Sequence, residues 1–286
     1  MKQATTRQII YIPNQRIKMG WIKTWITLLS NIVNSRDLIF QLFKRDFFMQ
    51  YKKSFVGMGW IFLSPVMGII SWVFMNATGI LTPGDVGIPY PAYVLLSTSI
   101  FGLFGGFYAS SAGTLTAGAG FINQVNYPHD VLLIKQAMMQ LAGFVVTFFI
   151  NIIVLICFGV TPHWMTILLP LFVLPIFFLG AAIGLMSAMI EVVAVDLNRM
   201  IGMGMGLMLY LTPVIYSPKT QNPILQVIIK WNPLTYLIGG ARDAIIYGRV
   251  DHIDRYLISA GISLGLFLIA WRLFYVSEQK IIEKMI

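Results

Sequence analysis

The residues best placed to do chemistry in this chain form a short polar island, Glu191, Asp196 and Arg199, between two apolar tracts. No Lys, Arg, Asp or Glu occurs over residues 136–190, and the next one after Arg199 is Lys219. Because lipid does not solvate charge, the island should lie at a membrane surface or within protein. Its carboxylates and guanidinium can pair with charges on another protein. We therefore interpret the island as the place where a partner outside the membrane contacts the chain.

Motifs for catalysis and for binding nucleotides or metals are absent from the sequence. There is no Gly-rich loop ending in Gly-Lys-Ser/Thr, no His-Glu-x-x-His and no paired-cysteine motif. The three histidines, His129, His163 and His252, are spread over three loops and predict no shared metal site. The middle of every apolar tract lacks ionisable groups, whereas ion-coupled pumps place such groups within their spans. The sequence predicts a non-enzymatic chain without metal or cofactor, and a transporter of this kind would draw energy from a separate partner.

The composition is that of a polytopic helical membrane protein. The 286 residues are 57% hydrophobic and 11% charged, and several uncharged tracts exceed the roughly 20 residues that cross a bilayer. The net charge of +9 is unevenly placed, since ten of the 20 Lys and Arg lie within the first 53 residues. Basic residues beside a first span set topology and meet anionic lipid, so this distribution argues against nucleic-acid binding.

The elements that position the polar island fall into two regions. Residues 1–56 are predicted to form a cytoplasmic N-terminal region with amphipathic helices that lie in the membrane interface. Over residues 21–34, the apolar side chains fall on one side of a helix at about 100° per residue. Residues 57–286 are predicted to form an all-α domain with six transmembrane helices. We expect these spans at about 57–81, 91–116, 131–160, 164–190, 201–216 and 256–276.

A helical hairpin is predicted before the last span. Asn-Pro pairs at 222–223 and 232–233 each place a capping Asn before a Pro at the first helical position. These pairs predict short helices at 223–231 and 233–247. Neither helix is long enough to cross the membrane alone, so residues 222–247 are expected to form a re-entrant hairpin.

The distribution of basic residues predicts the topology. With both termini in the cytoplasm, 15 of the 20 Lys and Arg lie inside, and the other five lie in residues 217–255. The polar island and residues 121–135 then face the cytoplasm. The expected location is the cytoplasmic (inner) membrane.

Three stretches occur in a characteristic order. The first is a basic, aromatic segment at 42–60 that leads to Pro65, and the second is Asn123-Gln-Val-Asn-Tyr-Pro-His-Asp130. The third runs from Val195-Asp196-Leu197 through Thr212-Pro213 to Asn232-Pro233-Leu234 and Arg242. Over about residues 36–280, this pattern resembles the membrane subunit of ABC exporters for cell-surface polysaccharides, the type-2 permeases of O-antigen, capsule and teichoic-acid export. That family often has Arg directly before the second-loop Asp, where this chain has Val195, and Arg199 is expected to substitute.

The resemblance implies a homodimer of this chain paired with two ATPase subunits, which bind ATP and Mg. The implied function is ATP-driven export of a lipid-linked polysaccharide, with the O-antigen (lipopolysaccharide) type favoured. The alternatives are capsular polysaccharide or teichoic-acid export, or export of drugs or small lipids by a related permease. An enzyme acting on lipid-linked sugars is a further alternative, although Asp85, Asp243, Asp251 and Asp254 form no recognisable catalytic pattern.

The resemblance also assigns roles to residues of this chain. ATPase-coupling loops are expected to contain Asn126, Tyr127, Pro128, His129, Asp130, Asp196, Leu197, Asn198 and Arg199. The interface helix is expected to contribute Lys44, Arg45, Lys52 and Lys53. Because sugar faces stack on aromatic rings, the expected channel-lining residues are Trp60, Trp72, Phe74, Phe101, Phe104, Phe107, Tyr108, Tyr210 and Tyr216. The hairpin is expected to form an outer lid that includes Asn232, Pro233, Arg242 and Asp243.

Overall fold

The structure, a computed structural model, describes residues 19–52, 55–114 and 130–285, with only the backbone described at residue 51 and at 278–285. Every α-helix or 3-10 helix in these ranges belongs to one helical bundle, and the described residues contain no strand. The α-helices are α1 (Trp21–Asn34), α2 (Arg36–Lys52), α3 (Trp60–Ala77), α4 (Tyr90–Ala112), α5 (Asp130–Cys157), α6 (Leu169–Glu191), α7 (Val195–Leu211), α8 (Pro223–Trp231), α9 (Pro233–Tyr247) and α10 (Ile253–Met285). Short 3-10 helices, Gly57–Gly59 and Trp164–Leu168, precede α3 and α6.

Five helical segments within the described residues are long and apolar enough to cross a membrane. They are Gly57–Ala77, Tyr90–Ala112, Asp130–Cys157, Trp164–Glu191 and Ile253–Ser277. Each coincides, within a few residues at either end, with one of the expected spans. The prediction of an all-helical, multi-pass membrane protein is therefore confirmed.

The expected span at 201–216 differs from the helix that occupies this part of the chain. Helix α7 has 17 residues, starts at Val195 and ends at Leu211, and Thr212 is already extended at φ −113° and ψ 137°. Pro213 disfavours the helical conformation at Thr212, which accounts for the early end. Asp196 lies in the first turn, where the helix dipole favours a carboxylate. The polar island thus contributes the start of a helix and not only a loop.

Helix α4 is the centre of the bundle and packs against α3, α5, α6 and α9. Its closest approach is to α6, at Gly180 and Gly184. A Cβ at Gly180 would lie 2.8 Å from the carbonyl oxygen of Phe104, and a Cβ at Gly184 would collide with the carbonyl oxygen of Tyr108. Two glycines four residues apart let the helix backbones meet, as small residues do where membrane helices associate.

The bundle has two ends with different elements. At the basal end, α1 and α2 pack against α5, next to the start of that helix at Asp130. The ring of Trp25 on α1 also meets Trp271 of α10, with centroids 5.6 Å apart. At the distal end, α8, α9 and residues 82–89 cover the bundle. The chain crosses between these ends with each successive span.

Helix α1 begins and ends at the residues that its amphipathic pattern predicts, but it has three faces instead of two. Thr24 and Leu28 are fully buried against the bundle. Trp25 and Ile32 are partly buried against the bundle. Four other apolar side chains form an exposed strip along the outer side of the helix: Ile22, Ile26, Leu29 and Val33.

Helices α8 and α9, which were expected to form the hairpin, also have the predicted bounds, because local capping determines where they start. The Asn222 side-chain oxygen accepts from the backbone N–H of Ile224 at 3.0 Å, and Asn232 caps Leu234 in the same way at 3.0 Å. The Asn232 amide nitrogen also donates to Thr212 Oγ1 at 2.8 Å. This second bond ties the start of α9 to the end of α7.

Candidate functional site

The polar island presents an exposed surface at the basal end. The Asp196 and Arg199 side chains are 94% and 72% exposed, and Arg199 Nη1 lies 3.5 Å from Asp196 Oδ1. The local pair expected from Arg199 in place of the missing neighbour therefore forms. Asn198 points inward, where its Oδ1 accepts from Ser187 Oγ at 2.8 Å. Exposed apolar side chains surround the pair, and together they form what we call the basal patch: Val193, Val195, Asp196, Leu197, Arg199 and Met200.

Asp130, expected in the first coupling loop, lies in the interior. It is 2% exposed and accepts hydrogen bonds from Trp271 Nε1 at 3.0 Å and Asn31 Nδ2 at 3.3 Å. Because these donors come from α10 and α1, the carboxylate joins three helices. This corrects its expected role as a contact for a partner. The other expected residues of that loop lie outside the described residues: Asn126, Tyr127, Pro128 and His129.

The interface helix α2 is held against the spans by Asp46, which was not among the residues expected to have a role. Asp46 accepts from Lys135 Nζ on α5 at 2.9 Å and from Arg45 Nε at 2.7 Å. Partial burial of Asp46 opposes ionisation, but these two cations outweigh it and hold the pKa of the carboxyl below its ordinary value of 3.8. Among the expected basic residues, Lys44 and Lys52 are exposed. Lys53 lies outside the described residues.

A mostly apolar groove with several hydroxyl and amide side chains on its wall lies within the spanning region between α3, α4 and α5. Its volume is 470 Å³. Trp72 and Phe101, two of the expected channel-lining residues, lie on its wall. The ring of Tyr210 packs against Trp72 with centroids 6.3 Å apart and so extends the aromatic wall towards α7. Hydroxyl and amide side chains alternate with these rings, and they define the intramembrane groove: Ser64, Thr98, Ser99, Gln140 and Thr147.

The other expected wall residues lie in three settings. Trp60 and Phe74 are exposed on the outer surface of α3, at 45% and 61%. Tyr108 and Tyr216 are half-buried, with the Tyr108 hydroxyl 3.4 Å from Ser187 Oγ and the Tyr216 hydroxyl donating to Tyr210 O at 3.0 Å.

Phe104 and Phe107 require a correction. They are 1% and 0% exposed, since their side of α4 packs directly on α6 at Gly180. Their rings therefore fill the core of the bundle and do not face a channel in this structure.

At the distal end, Arg242 of α9 is buried with only 7% exposure. Its Nη1 donates to the Tyr93 hydroxyl at 2.7 Å, and its Nε donates to Asp243 Oδ1 at 3.2 Å. The Tyr93 hydroxyl in turn lies 3.0 Å from Pro213 O and 2.9 Å from Tyr216 O, to which it donates. This network fastens α9 and the segment after α7 to α4. Arg242 and Asp243 were expected at the outer lid, whereas Tyr93 was not among the expected residues. Its only signal in the sequence is a tyrosine hydroxyl that needs a partner inside a span.

Apolar spans with amphipathic helices at one end, an exposed charged patch beside them and a groove with hydroxyl and amide side chains within the spans describe a multi-pass membrane permease. Residues 37–246 match the ABC-2 type transporter family. This match covers well over half of the chain, and the chain belongs to that family.

The similar proteins include three curated ones with the same descriptive name. An O-antigen export system permease protein RfbA of Myxococcus xanthus is 22% identical over 262 residues, which cover 91% of this chain and 100% of that protein. Two proteins of the same name from Klebsiella pneumoniae are 23% and 25% identical, and each alignment covers 76% of this chain and 83% of the relative.

Proposed function

We propose that this chain is the transmembrane subunit of an ATP-driven exporter that moves a lipid-linked polysaccharide of the O-antigen type across the cytoplasmic membrane. The observation that carries the proposal is the similarity to three O-antigen export permeases, one of them aligned over its whole length. Family membership supports the transport class, and the relatives' names support the substrate.

The ATPase partner would bind at the basal end. The basal patch offers an exposed ion pair, Asp196 with Arg199, surrounded by exposed apolar side chains. A mixed apolar and charged surface of this kind is typical of protein contacts. The sequence has no phosphate-binding loop of its own, so ATP and Mg would be held by the partner. Motion of α7, which begins at Val195, would carry force from the ATPase into the spans.

A second copy of the chain would complete the transport path. No residue of α7 is buried, and only Ile61 is buried on α3. The intramembrane groove opens beside these helices and brings aromatic, hydroxyl and amide side chains to the surface there. Pairing two copies through α3 and α7 would cover both helices and enclose the groove. Its aromatic and hydroxyl surface would then line a channel in which sugar rings stack and slide.

The proposed topology has six spans with both termini in the cytoplasm and the basal end facing inward. Helix α7 would be the short fifth span, since its 17 residues extend about 26 Å at 1.5 Å per residue, somewhat less than the roughly 30 Å apolar core. The hairpin of α8 and α9 would re-enter from the outside and form the lid. The exposed strip of α1 and the lysines of α2 would lie in the inner interface.

Disruption of the gene and complementation with a tagged chain would test the proposal. We expect disruption to remove long surface glycan from the lipopolysaccharide pattern on gels, and complementation to restore it. The tagged chain should copurify with a nucleotide-binding subunit. Intact surface glycan in the disrupted strain, with changed drug susceptibility instead, would favour a drug or small-lipid permease.

A further inference from the structure

A second cavity, with several charged side chains on its wall, lies at the distal end and is lined by α8, α9, residues 213–219 and the turn before α10. Its volume is 320 Å³, which is at the lower end of the range for small-ligand sites. It is separate from the intramembrane groove and shares no lining residue with it. We call this cavity the distal pocket, and the lining residues that matter here are Lys219, Lys230, Thr235, Arg242, Asp243 and Asp251.

Two groups at the distal pocket have unused hydrogen-bonding capacity, and one of them, the Thr235 hydroxyl, is buried. Arg242 uses Nε for Asp243 and Nη1 for Tyr93, and its Nη2 makes no hydrogen bond to any described residue. Thr235 is 8% exposed, and its hydroxyl also has no partner among the described residues. A buried donor without an acceptor costs free energy, so native structures rarely leave one unmatched unless something binds there.

The charges around the distal pocket leave an excess of positive charge. Asp243 is neutralised by Arg242 at 3.2 Å, and Asp251 by Arg249 at 3.0 Å. Lys219 and Lys230 also line the pocket, and within the described part of the chain neither forms an ion pair. Two exposed lysines without an ion pair thus line the pocket together with the largely buried Arg242 guanidinium and a buried hydroxyl.

We propose that the distal pocket binds an oxyanion, a phosphate or carboxylate group, on the outer side of the membrane. Charge-assisted hydrogen bonds from lysine and arginine suit either anion, and the pocket has room for a sugar ring that carries it. The proposal rests on the proposed function in two respects, namely that the distal end faces outward and that a sugar of the exported glycan supplies the oxyanion. A phospholipid headgroup has the same chemistry, and the experiment separates the two sources.

The test measures binding to the purified full chain in phosphatidylcholine nanodiscs by isothermal titration calorimetry, without ATPase or export. The probes are glucose 6-phosphate, glucuronate and, as the neutral control, glucose. We expect both charged sugars to bind and glucose not to bind. Replacing two charge-assisted bonds in the double variant Lys219→Gln/Lys230→Gln should weaken binding by at least about tenfold. Thr235→Val should weaken binding as well, while Arg255→Gln, a charge change outside the pocket, should leave it unchanged.

The outcomes separate cleanly. Equal binding of glucose, no binding of either charged sugar, or unchanged binding in the lysine double variant would overturn the oxyanion site. Loss of sugar binding in phosphatidylglycerol nanodiscs would support the site and assign its oxyanion to a lipid headgroup, whereas retained binding assigns it to the sugar. Because no transport is measured, a failed export assay would count against the proposed function and not against this site.

Discussion

Lys135 of α5 donates to Asp46 of α2 across 2.9 Å, and the two residues are 89 positions apart in the chain. The lysine side chain is only 8% exposed, whereas the carboxylate is 27% exposed and also accepts from Arg45. This pair is therefore more than a surface ion pair, since it supplies the counter-charge for a nearly buried ammonium group. It holds the amphipathic helix α2 against the first part of a spanning helix.

Replacing Asp46 with Asn should destabilise the protein by about 1–3 kcal/mol, because the buried Lys135 ammonium loses its anionic partner. The expected readout is a lower thermal unfolding temperature in detergent, with earlier proteolysis around α2. Asp37→Asn is the matched control, since it breaks an ion pair with Arg36 in the same helix whose side chains are 81% and 90% exposed. Equal unfolding temperatures for the two variants would argue against the fastening role.

The Asp46 carboxyl should also make stability depend on pH. Because its pKa in the folded protein is below the ordinary 3.8, its contribution is present above about pH 4 and is lost as the pH falls through the folded pKa. The gap in unfolding temperature between wild type and Asp46→Asn should be constant near neutral pH and should shrink below about pH 4. A gap that stays constant as the pH is lowered below about 4 would contradict this origin.

Features of the fold that depend on neighbouring residues could be predicted from the sequence. The helices Pro223–Trp231 and Pro233–Tyr247 were predictable to the residue because Asn caps and N-terminal prolines act within one turn. The predicted span 201–216 begins six residues after the start of the helix at Val195, because the prediction followed the apolar run and the first turn of the helix is polar.

The interior contacts could not be predicted from the sequence, because they join residues that are far apart in the chain. Tyr93 and Arg242 are 149 positions apart, and nothing in either local pattern names the other. For the same reason, Asp130 was expected in an exposed loop, although its partners on α1 and α10 bury it. Phe104 and Phe107 were expected in a channel wall because composition identifies aromatic rings but not the side of α4 that packs on α6.

The close contact of α4 with α6 leaves no room for a side chain at Gly184. Gly184→Ala would place a methyl group against the carbonyl oxygen of Tyr108 and should cost about 1–3 kcal/mol of stability through overpacking. Gly261→Ala is the control, because a Cβ at that position of α10 meets no atom within 4 Å. The comparison is made by thermal unfolding in one detergent, and equal stabilities would contradict the packing seen here.

The six-span topology predicts which side of the membrane reaches residue 221. A Gln221→Cys variant should react with a membrane-impermeant maleimide added to intact spheroplasts. Cys157 is exposed, so the variant must be made in a Cys157→Ser background. Arg199→Cys in the same background should react only after the membrane is opened. Labelling of position 221 solely from the cytoplasmic side would overturn the topology.

The basal patch predicts a variant that separates ATP hydrolysis from export. Asp196→Asn combined with Arg199→Gln removes both charges of the exposed pair and keeps a polar side chain at each position. Exposed pairs contribute little to folding, so the unfolding temperature should remain unchanged. Contact with the ATPase should nevertheless weaken, because the variant lacks the charges at the start of α7, where the ATPase is proposed to bind. In proteoliposomes with the partner ATPase, we expect ATP hydrolysis to continue and export to become at least about tenfold slower. A tenfold change corresponds to the loss of about one charged contact.

The control is Asp254→Asn with Arg255→Gln, which removes an exposed pair of 3.8 Å at the distal end and should export normally. Full export by the basal variant would show that force enters elsewhere, and a parallel fall in both activities would indicate failed assembly instead of uncoupling.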